Sequence, residues 1–276
     1  MRTLYVSDLD GTLLNSQQKL SHFTIATINA LVEDGMLFSY ATARSFVTAA
    51  QVTAGLNAHL PVIVYNGAFV LDSATGAPLL SACFTPSERD AVREVLTAHR
   101  IHPIVYAHID GKECFSFYTG HTNRGKQLFL DSRKNDPRRT ERATAGDVYT
   151  GDAFYFTCIG SDAELAPVHE GFRTDPRFAC VYQKDLYSGE QWLEILPAKA
   201  TKANAALRLK EHLGCEKIVS FGDGRNDLPL FAVSDECYAV GNADPTLQEH
   251  ATAVIETNER DGVAKWLRQR HTKGLL

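Results

Sequence analysis

Residues 4–14, LYVSDLDGTLL, decide the fold. Leu4, Tyr5 and Val6 make an apolar run of the kind that forms a buried strand, and Asp8 and Asp10 close it before apolar residues resume at Leu13. Two carboxylates one residue apart repel each other unless something cationic stands between them. Either both face water in a solvated turn, or they hold a cation and act on a ligand.

Downstream, the chain alternates apolar strands with amphipathic helices. SHFTIATINALVEDG predicts a helix, with Ser21 as cap, Phe23, Ile25, Ile28, Leu31 and Val32 on one face, and Gly35 as terminator. MLFSYATA predicts the next strand, RSFVTAAQVTAG a helix to Gly55, and PVIVYNGA a third strand. This spacing implies parallel strands joined by right-handed crossovers. Strands this apolar imply a sheet covered on both faces.

Near residue 83 the pattern changes. TPSERDAVREVLTAH opens with Thr85 as cap, Pro86 in the first turn and Glu88 completing a capping box. PIVYAHIDGKECFSFY predicts a hairpin turning at Asp110-Gly111. A short helix near NRGKQLFLD and a basic polar stretch, SRKNDPRRTERATAGD, follow. AFYFTCIG, SDAELAPVHEG, FACVYQKD and QWLEILP then read as strand, helix, strand and strand. From residue 198 the parallel pattern returns, through TKANAALRLKEHLG, KIVSFGD, NDLPLFAVS, CYAVG, ADPTLQEHA, AVIET and RDGVAKWLRQRH. The expected fold class is α/β. A Rossmann-like parallel-sheet core is built from residues 1–83 and 191–276, and an α+β module is inserted over 84–190.

Composition bounds the function. The 276 residues are too many for a typical single core, and with 44% hydrophobic and 22% charged residues the chain reads as globular. A net charge of -5 argues against nucleic acid as the main partner and leaves a small anionic ligand open. No window approaches about 18 consecutive apolar residues, so no membrane span is expected. The first residues enter a strand pattern without a leader, and Cys83, Cys114, Cys158, Cys180, Cys215 and Cys237 are scattered without a CxxC pair. Both features make a cytoplasmic location the expectation.

In open α/β sheets ligands bind at the carboxyl ends of the strands. Asp8 ends the first strand, Thr42 stands near the end of the second, and Lys202 opens a helix; Asp223 ends KIVSFGD, and Asn226 and Asp227 follow it. Four converging carboxylates, Asp8, Asp10, Asp223 and Asp227, call for a divalent cation. Mg²⁺ suits a few carboxylates with water and a substrate phosphate. Lys202, Thr42 and the amides after Asp10 could surround a phosphoryl group.

DLDGTLL, ATAR, TKANAAL and GDGRNDLPLF, in that order, resemble the four motifs of the haloacid dehalogenase-like (HAD) hydrolase superfamily. YNGA, VGNAD and TNERDGVAKWL extend the resemblance to its Cof-type phosphatases, which carry a type IIB cap between the second and third motifs. The resemblance implies that Asp8 is the nucleophile, forming an aspartyl-phosphate, and that Asp10 protonates the leaving oxygen and then activates water. It implies Mg²⁺ on the Asp8 carboxylate, the Asp10 backbone carbonyl and Asp223. Thr42 and Lys202 would bind the phosphoryl group with Asn226 beside them, and Asp227 would support the metal shell or orient Lys202. Gly11 permits the tight turn and Thr12 can fix it. The implied activity is a Mg²⁺-dependent phosphatase of small phosphorylated metabolites. Sugar phosphates come first, then nucleotides or a phosphorylated cofactor such as pyridoxal or flavin. The cap would exclude water and read the leaving group.

Two positions depart from the family pattern: Ala203 stands where a glycine usually follows the lysine, and Lys199 replaces another glycine and rivals Lys202 for the phosphate. Two other functions fit the same residues, a phosphosugar mutase using the same nucleophile and a phospholigand-binding regulator without turnover. Arg44 is expected to be a structural or helix-start residue, and Asn66-Gly67 a turn that the resemblance sets near the site. His99, His102, His108 and His121 lack metal-ligand spacing, and Arg133, Lys134, Arg138, Arg139 and Arg142 are expected in a solvated loop, with a recognition loop for an anionic substrate as the alternative. Phe115, Phe117, Tyr118, Tyr155, Tyr182 and Tyr187 are the aromatic candidates for contacting the substrate.

Overall fold

The computed structural model describes residues 2–57, 61–185 and 189–272. The chain forms two units, one from the two ends (up to Ser81 and from Thr201) and one from Ala82 to Ala200.

The first unit begins with β1 (Thr3–Ser7), α1 (His22–Glu33), β2 (Leu37–Tyr40), α2 (Phe46–Val52), β3 (Val62–Val64), β4 (Phe69–Leu71) and β5 (Pro78–Ser81). The inserted unit contains α3 (Pro86–Ala98), β6 (Ile104–Ile109), β7 (Lys112–Tyr118), α4 (Arg124–Ser132), β8 (Arg139–Arg142), β9 (Asp152–Gly160), α5 (Asp162–Arg173), β10 (Phe178–Lys184) and β11 (Gln191–Pro197). The first unit resumes with α6 (Lys202–His212), β12 (Lys217–Gly222), α7 (Leu228–Ala232), β13 (Glu236–Val240), α8 (Pro245–Glu249), β14 (Ala253–Ile255) and α9 (Gly262–Thr272).

A parallel sheet of order β14-β13-β12-β1-β2 forms the core, with β1 paired to β12 from Thr3–Lys217 to Ser7–Phe221. Leu4 and Val6 are fully buried and pack with Ile218 and with Ala205, Ala206 and Leu209 of α6. The apolar residues of LYV thus place β1 inside the sheet, between β12 and β2, and the register sets the ends of β1 and β12, and so Asp8 and Asp223, side by side. The fold class is α/β, as the strand pattern predicts.

Three details differ from the sequence expectation. PVIVYNGA joins the parallel sheet only through one bridge, Ala41–Ile63, and otherwise pairs antiparallel with β4 in a β3-β4-β5 meander. Tyr65, Asn66 and Gly67 have φ of 51°, 52° and 100°, and this left-handed run reverses the chain. The expected boundary at 190/191 is wrong, because Gln191–Pro197 forms β11, hydrogen-bonded between β9 and β10. The sheet of the inserted unit has order β10-β11-β9-β6-β7-β8 and is antiparallel except at β7–β8. Val92, Leu96, Leu165, Val168 and Phe172 from α3 and α5 pack against its Val105, Phe156, Leu193 and Ile195.

The basic run is a solvated turn only at its start, where Arg133 and Lys134 follow α4 with Lys134 exposed. Arg139 and Arg142 belong to β8, and Arg138 is buried, paired with Glu113 and Asp136 at 2.6 Å each. Those two carboxylates neutralise the guanidinium and let it be buried.

Candidate active site

Asp8 follows β1, and its amide donates to Phe221 O of β12 at 3.0 Å, which fixes where the strand releases the chain. The side chain is buried. Gly11 turns the chain with φ of 76°, and a Cβ there would overlap the Asp223 carboxylate. The close approach of the two acid-bearing turns therefore requires glycine. Thr12 Oγ1 donates to Asp223 Oδ1 at 3.0 Å.

Lys202 is the first residue of α6, behind Thr201, whose hydroxyl caps the helix by accepting from Asn204 N at 3.1 Å. Its ammonium donates to Asp8 Oδ1 and to Asp227 Oδ1, both at 2.7 Å. Asp227 is fully buried, and its other oxygen accepts from the amides of Asp223 and Gly224 at 3.2 and 3.3 Å. One carboxylate oxygen from each of Asp8, Asp223 and Asp227 lies within 4.8 Å of the others.

The electrostatics follow from three acids facing one amine. Burial pushes Asp8 well above the usual carboxylate range; Lys202 opposes the shift, and Asp227 and Asp223 add to it. Burial and the Asp227 carboxylate push Asp223 up to about 6, against the Thr12 hydrogen bond and Lys202. Burial alone would lower the Lys202 ammonium, but Asp227 and Asp8 outweigh it and its pKa is raised. A buried carboxylate excess, with oxygen-only donors, fits a hard divalent cation such as Mg²⁺.

Asp10 points elsewhere. Its carboxylate accepts from Arg44 Nε at 2.7 Å and Nη2 at 2.5 Å, and Arg44 Nη2 also donates to Gln18 Oε1 at 2.7 Å. Arg44, expected to be structural, therefore grips one of the two acids of the opening motif. The signal was its place in ATAR, two residues past Thr42 at the end of β2. Thr42 is buried, and its Oγ1 accepts from Arg44 N at 3.1 Å. Its carbonyl accepts from Asn66 N at 2.8 Å, and a Cβ on Gly67 would overlap the Thr201 carbonyl. The left-handed Tyr65–Gly67 turn thus wedges between the Thr42 loop and the start of α6. Left-handed non-glycine residues cost energy and persist where their surroundings hold them.

Asn226 remains partly exposed over Gly224. Ala203 is an ordinary buried helical residue, so the missing glycine leaves α6 intact. Lys199 is exposed in the inserted unit, where its charge acts on the Cys83 thiol; Lys202 carries the hydrogen bond to Asp8.

In the inserted unit most of the aromatic candidates are packing residues. Phe115, Phe117 and Tyr155 are buried, and Phe115 sits between Tyr106 and Phe129. Tyr182 stacks on His169 and donates to Asp162 Oδ1 at 2.6 Å. Tyr118 is half-buried and Tyr187 lies outside the described residues. The His102 and His121 rings meet, with centroids 4.6 Å apart. Among the described residues, the group able to supply three metal ligands is Asp8, Asp223 and Asp227. No helix among them is long and apolar enough to cross a membrane.

A parallel-sheet core whose central strands end in acids around a lysine, interrupted by an α+β unit, is the architecture of a class of phosphate-handling α/β hydrolases. Residues 5–267 match the family model of the haloacid dehalogenase-like hydrolases, and the chain belongs to that family. It is 25% identical over 276 residues to the 5-amino-6-(5-phospho-D-ribitylamino)uracil phosphatase YitU of Bacillus subtilis (strain 168), covering 96% of both chains. It is 24% identical over 267 residues to the pyridoxal phosphate phosphatase YbhA of Escherichia coli (strain K12), covering 94% of this chain and 95% of that one. The X-ray structure of TM0651 from Thermotoga maritima superposes with a TM-score of 0.75 at 26% identity, covering 98% of this chain and 97% of the other. The HAD subclass IIB sugar phosphatase BT4131 shares the fold, with a TM-score of 0.74 at 18% identity and full coverage, 100% of each chain. Within the family the chain is of the Cof type and is a phosphoric monoester hydrolase.

Proposed function

We propose that the protein is a Mg²⁺-dependent phosphatase of small phosphorylated metabolites that works through an aspartyl-phosphate on Asp8. The observation that carries this reading is the buried group itself, Asp8 and Asp227 on one lysine with Asp223 alongside. Asp8, Asp223 and the Asp10 backbone carbonyl would hold the cation, with Asp227 supporting them. When bound, Mg²⁺ would neutralise charge on the transferring phosphoryl group.

The chain's own residues divide the remaining work. Lys202 holds one Asp8 oxygen, which leaves the carboxylate oriented for attack on phosphorus. As the Asp8 O–P bond forms, the bond from phosphorus to the leaving oxygen breaks, and Asp10 gives that oxygen its proton. Asp10 then takes a proton from water, the water oxygen bonds to phosphorus, and the Asp8 O–P bond breaks to release phosphate. Arg44 fixes the direction of the Asp10 carboxylate before substrate arrives. Thr42 and Lys202, with Asn226, surround the phosphoryl oxygens. We assign the inserted unit as the substrate-specificity cap, and sugar or polyol phosphates as the leading substrates, ahead of phosphorylated cofactors. The two named relatives span that range, one acting on a phosphoribityl compound and the other on pyridoxal phosphate. All six cysteines are free, which supports a reducing, cytoplasmic setting.

The test is phosphate release from an aryl phosphate with and without Mg²⁺. Release should require the metal, and Asp8→Asn should lower it by at least about a thousandfold. A wild type that releases nothing, or an Asp8→Asn variant with full activity, contradicts the reading. A panel of phosphorylated metabolites then ranks the substrates.

A further inference from the structure

We infer that the loop joining β13 to α8, residues 241–244, is a positioning element for the reaction. It splints the turn carrying Asp8 and Asp10 to the turn carrying Asp223 and Asp227, with Asn242 as its principal side chain. The inference rests on the phosphatase reading above.

The loop reaches both turns by hydrogen bonds to backbone carbonyls. Asn242 Nδ2 donates to Gly11 O at 2.8 Å, one residue past Asp10. The Asp244 amide donates to Asp223 O at 2.8 Å. The Asn242 amide is used at both ends, because its Oδ1 accepts from Asn258 N at 3.0 Å. Asn258 Nδ2 in turn donates to Leu14 O at 2.9 Å, at the far end of the acid turn. These bonds brace residues 11–14 from outside. The Asp244 carboxylate is engaged elsewhere, capping Thr246 N at 2.8 Å and meeting Arg225 Nε at 3.0 Å, so its backbone is the part that serves Asp223.

The brace matters because of what it holds. Gly11 must be glycine, since the Asp223 carboxylate fills the space of a Cβ, and a left-handed glycine is the most pliable link in the backbone. A rotation there would swing Asp10 without disturbing Lys202, Thr42 or the buried part of Asp8. Asn242 is exposed, so its removal leaves no cavity. It acts on the geometry of Asp10 through the Gly11 carbonyl, and is a positioning residue.

The experiment compares the full chain with its Asn242→Ala and Asn242→Asp variants by amide hydrogen exchange and by Mg²⁺-dependent turnover of an alkyl and an aryl phosphate. Exchange over residues 9–14 should quicken about tenfold in Asn242→Ala. On the alkyl phosphate kcat should fall about tenfold or more, with KM within about twofold. The fall should be smaller on the aryl phosphate, whose phenolate leaves without needing a proton. Asn242→Asp should do at least as much harm, because it sets a carboxylate oxygen against the Gly11 carbonyl. Unchanged exchange over 9–14 overturns the inference, and so does an equal loss on the two substrates. If the wild type turns over neither phosphate, the phosphatase reading has failed, and the exchange comparison alone decides the splint.

Discussion

Replacing Lys202 with methionine keeps most of the side-chain volume and deletes the charge. The Lys202, Asp8 and Asp227 side chains are 2%, 7% and 0% exposed, so water cannot take over the two 2.7 Å bonds that are lost. Removing one partner of a buried ion pair costs about 3–5 kcal/mol, because the other charge stays buried. A small domain has about 5–15 kcal/mol in all. At about 2–4 °C per kcal/mol for a unit of this size, the first unit should melt about 6–20 °C lower. Calorimetry in EDTA measures this without a contribution from bound metal. Adding Asp227→Asn to Lys202→Met removes the orphaned charge and should recover at least about half of the loss, while activity stays abolished. The reasoning is refuted if Lys202→Met melts within about 2 °C of wild type, or if the double variant is no more stable than the single one.

Three further outcomes are expected. Because Asp223 is pushed up to about 6 from 3.8, the metal-free folded state holds a proton that the unfolded chain has already released between those values. Stability in EDTA should therefore fall as pH rises through that window, and Mg²⁺ should raise the melting temperature more at about pH 7.5 than at about pH 4.5; equal shifts contradict this. Gly11→Ala sets a Cβ into the Asp223 carboxylate on a left-handed backbone, and kcat should drop by about a hundredfold or more in a steady-state assay. Gly67→Ala pushes on the Thr201 carbonyl at the start of α6 and should cost more than about 2 kcal/mol in urea unfolding, with Lys202 displaced and activity reduced.

The elements that local chemistry determines were legible in the sequence. Ser21 and Thr85 cap α1 and α3 as their positions predict, and the hairpin turns at Asp110-Gly111. LYVSD and KIVSFGD were readable as strands because each runs apolar up to its acid, and their pairing as neighbours appears only in the structure. What escaped is set by pairing between distant residues. Gln191–Pro197 has the same strand pattern whichever sheet takes it, and only its bonds to β9 and β10 assign it to the inserted unit. Arg138 resembles the other cations of its run until Glu113 and Asp136 enclose it. Arg44 and Asp10 are 34 residues apart, and Asn242 and Gly11 are 231 apart. Side-chain pairs across such distances leave no periodicity to read.

The central claim is that Asp8 carries the phosphoryl group. Its most direct test is to mix the enzyme with Mg²⁺ and excess aryl phosphate, quench in acid within the first turnovers, and map the peptides by mass. The account predicts a phosphoryl adduct on the peptide containing Asp8, labile to hydroxylamine and absent from Asp8→Asn. Turnover by the wild type, with no such adduct either in it or in an Asp10→Asn variant whose dephosphorylation is slowed, contradicts it, as does an adduct on any other residue.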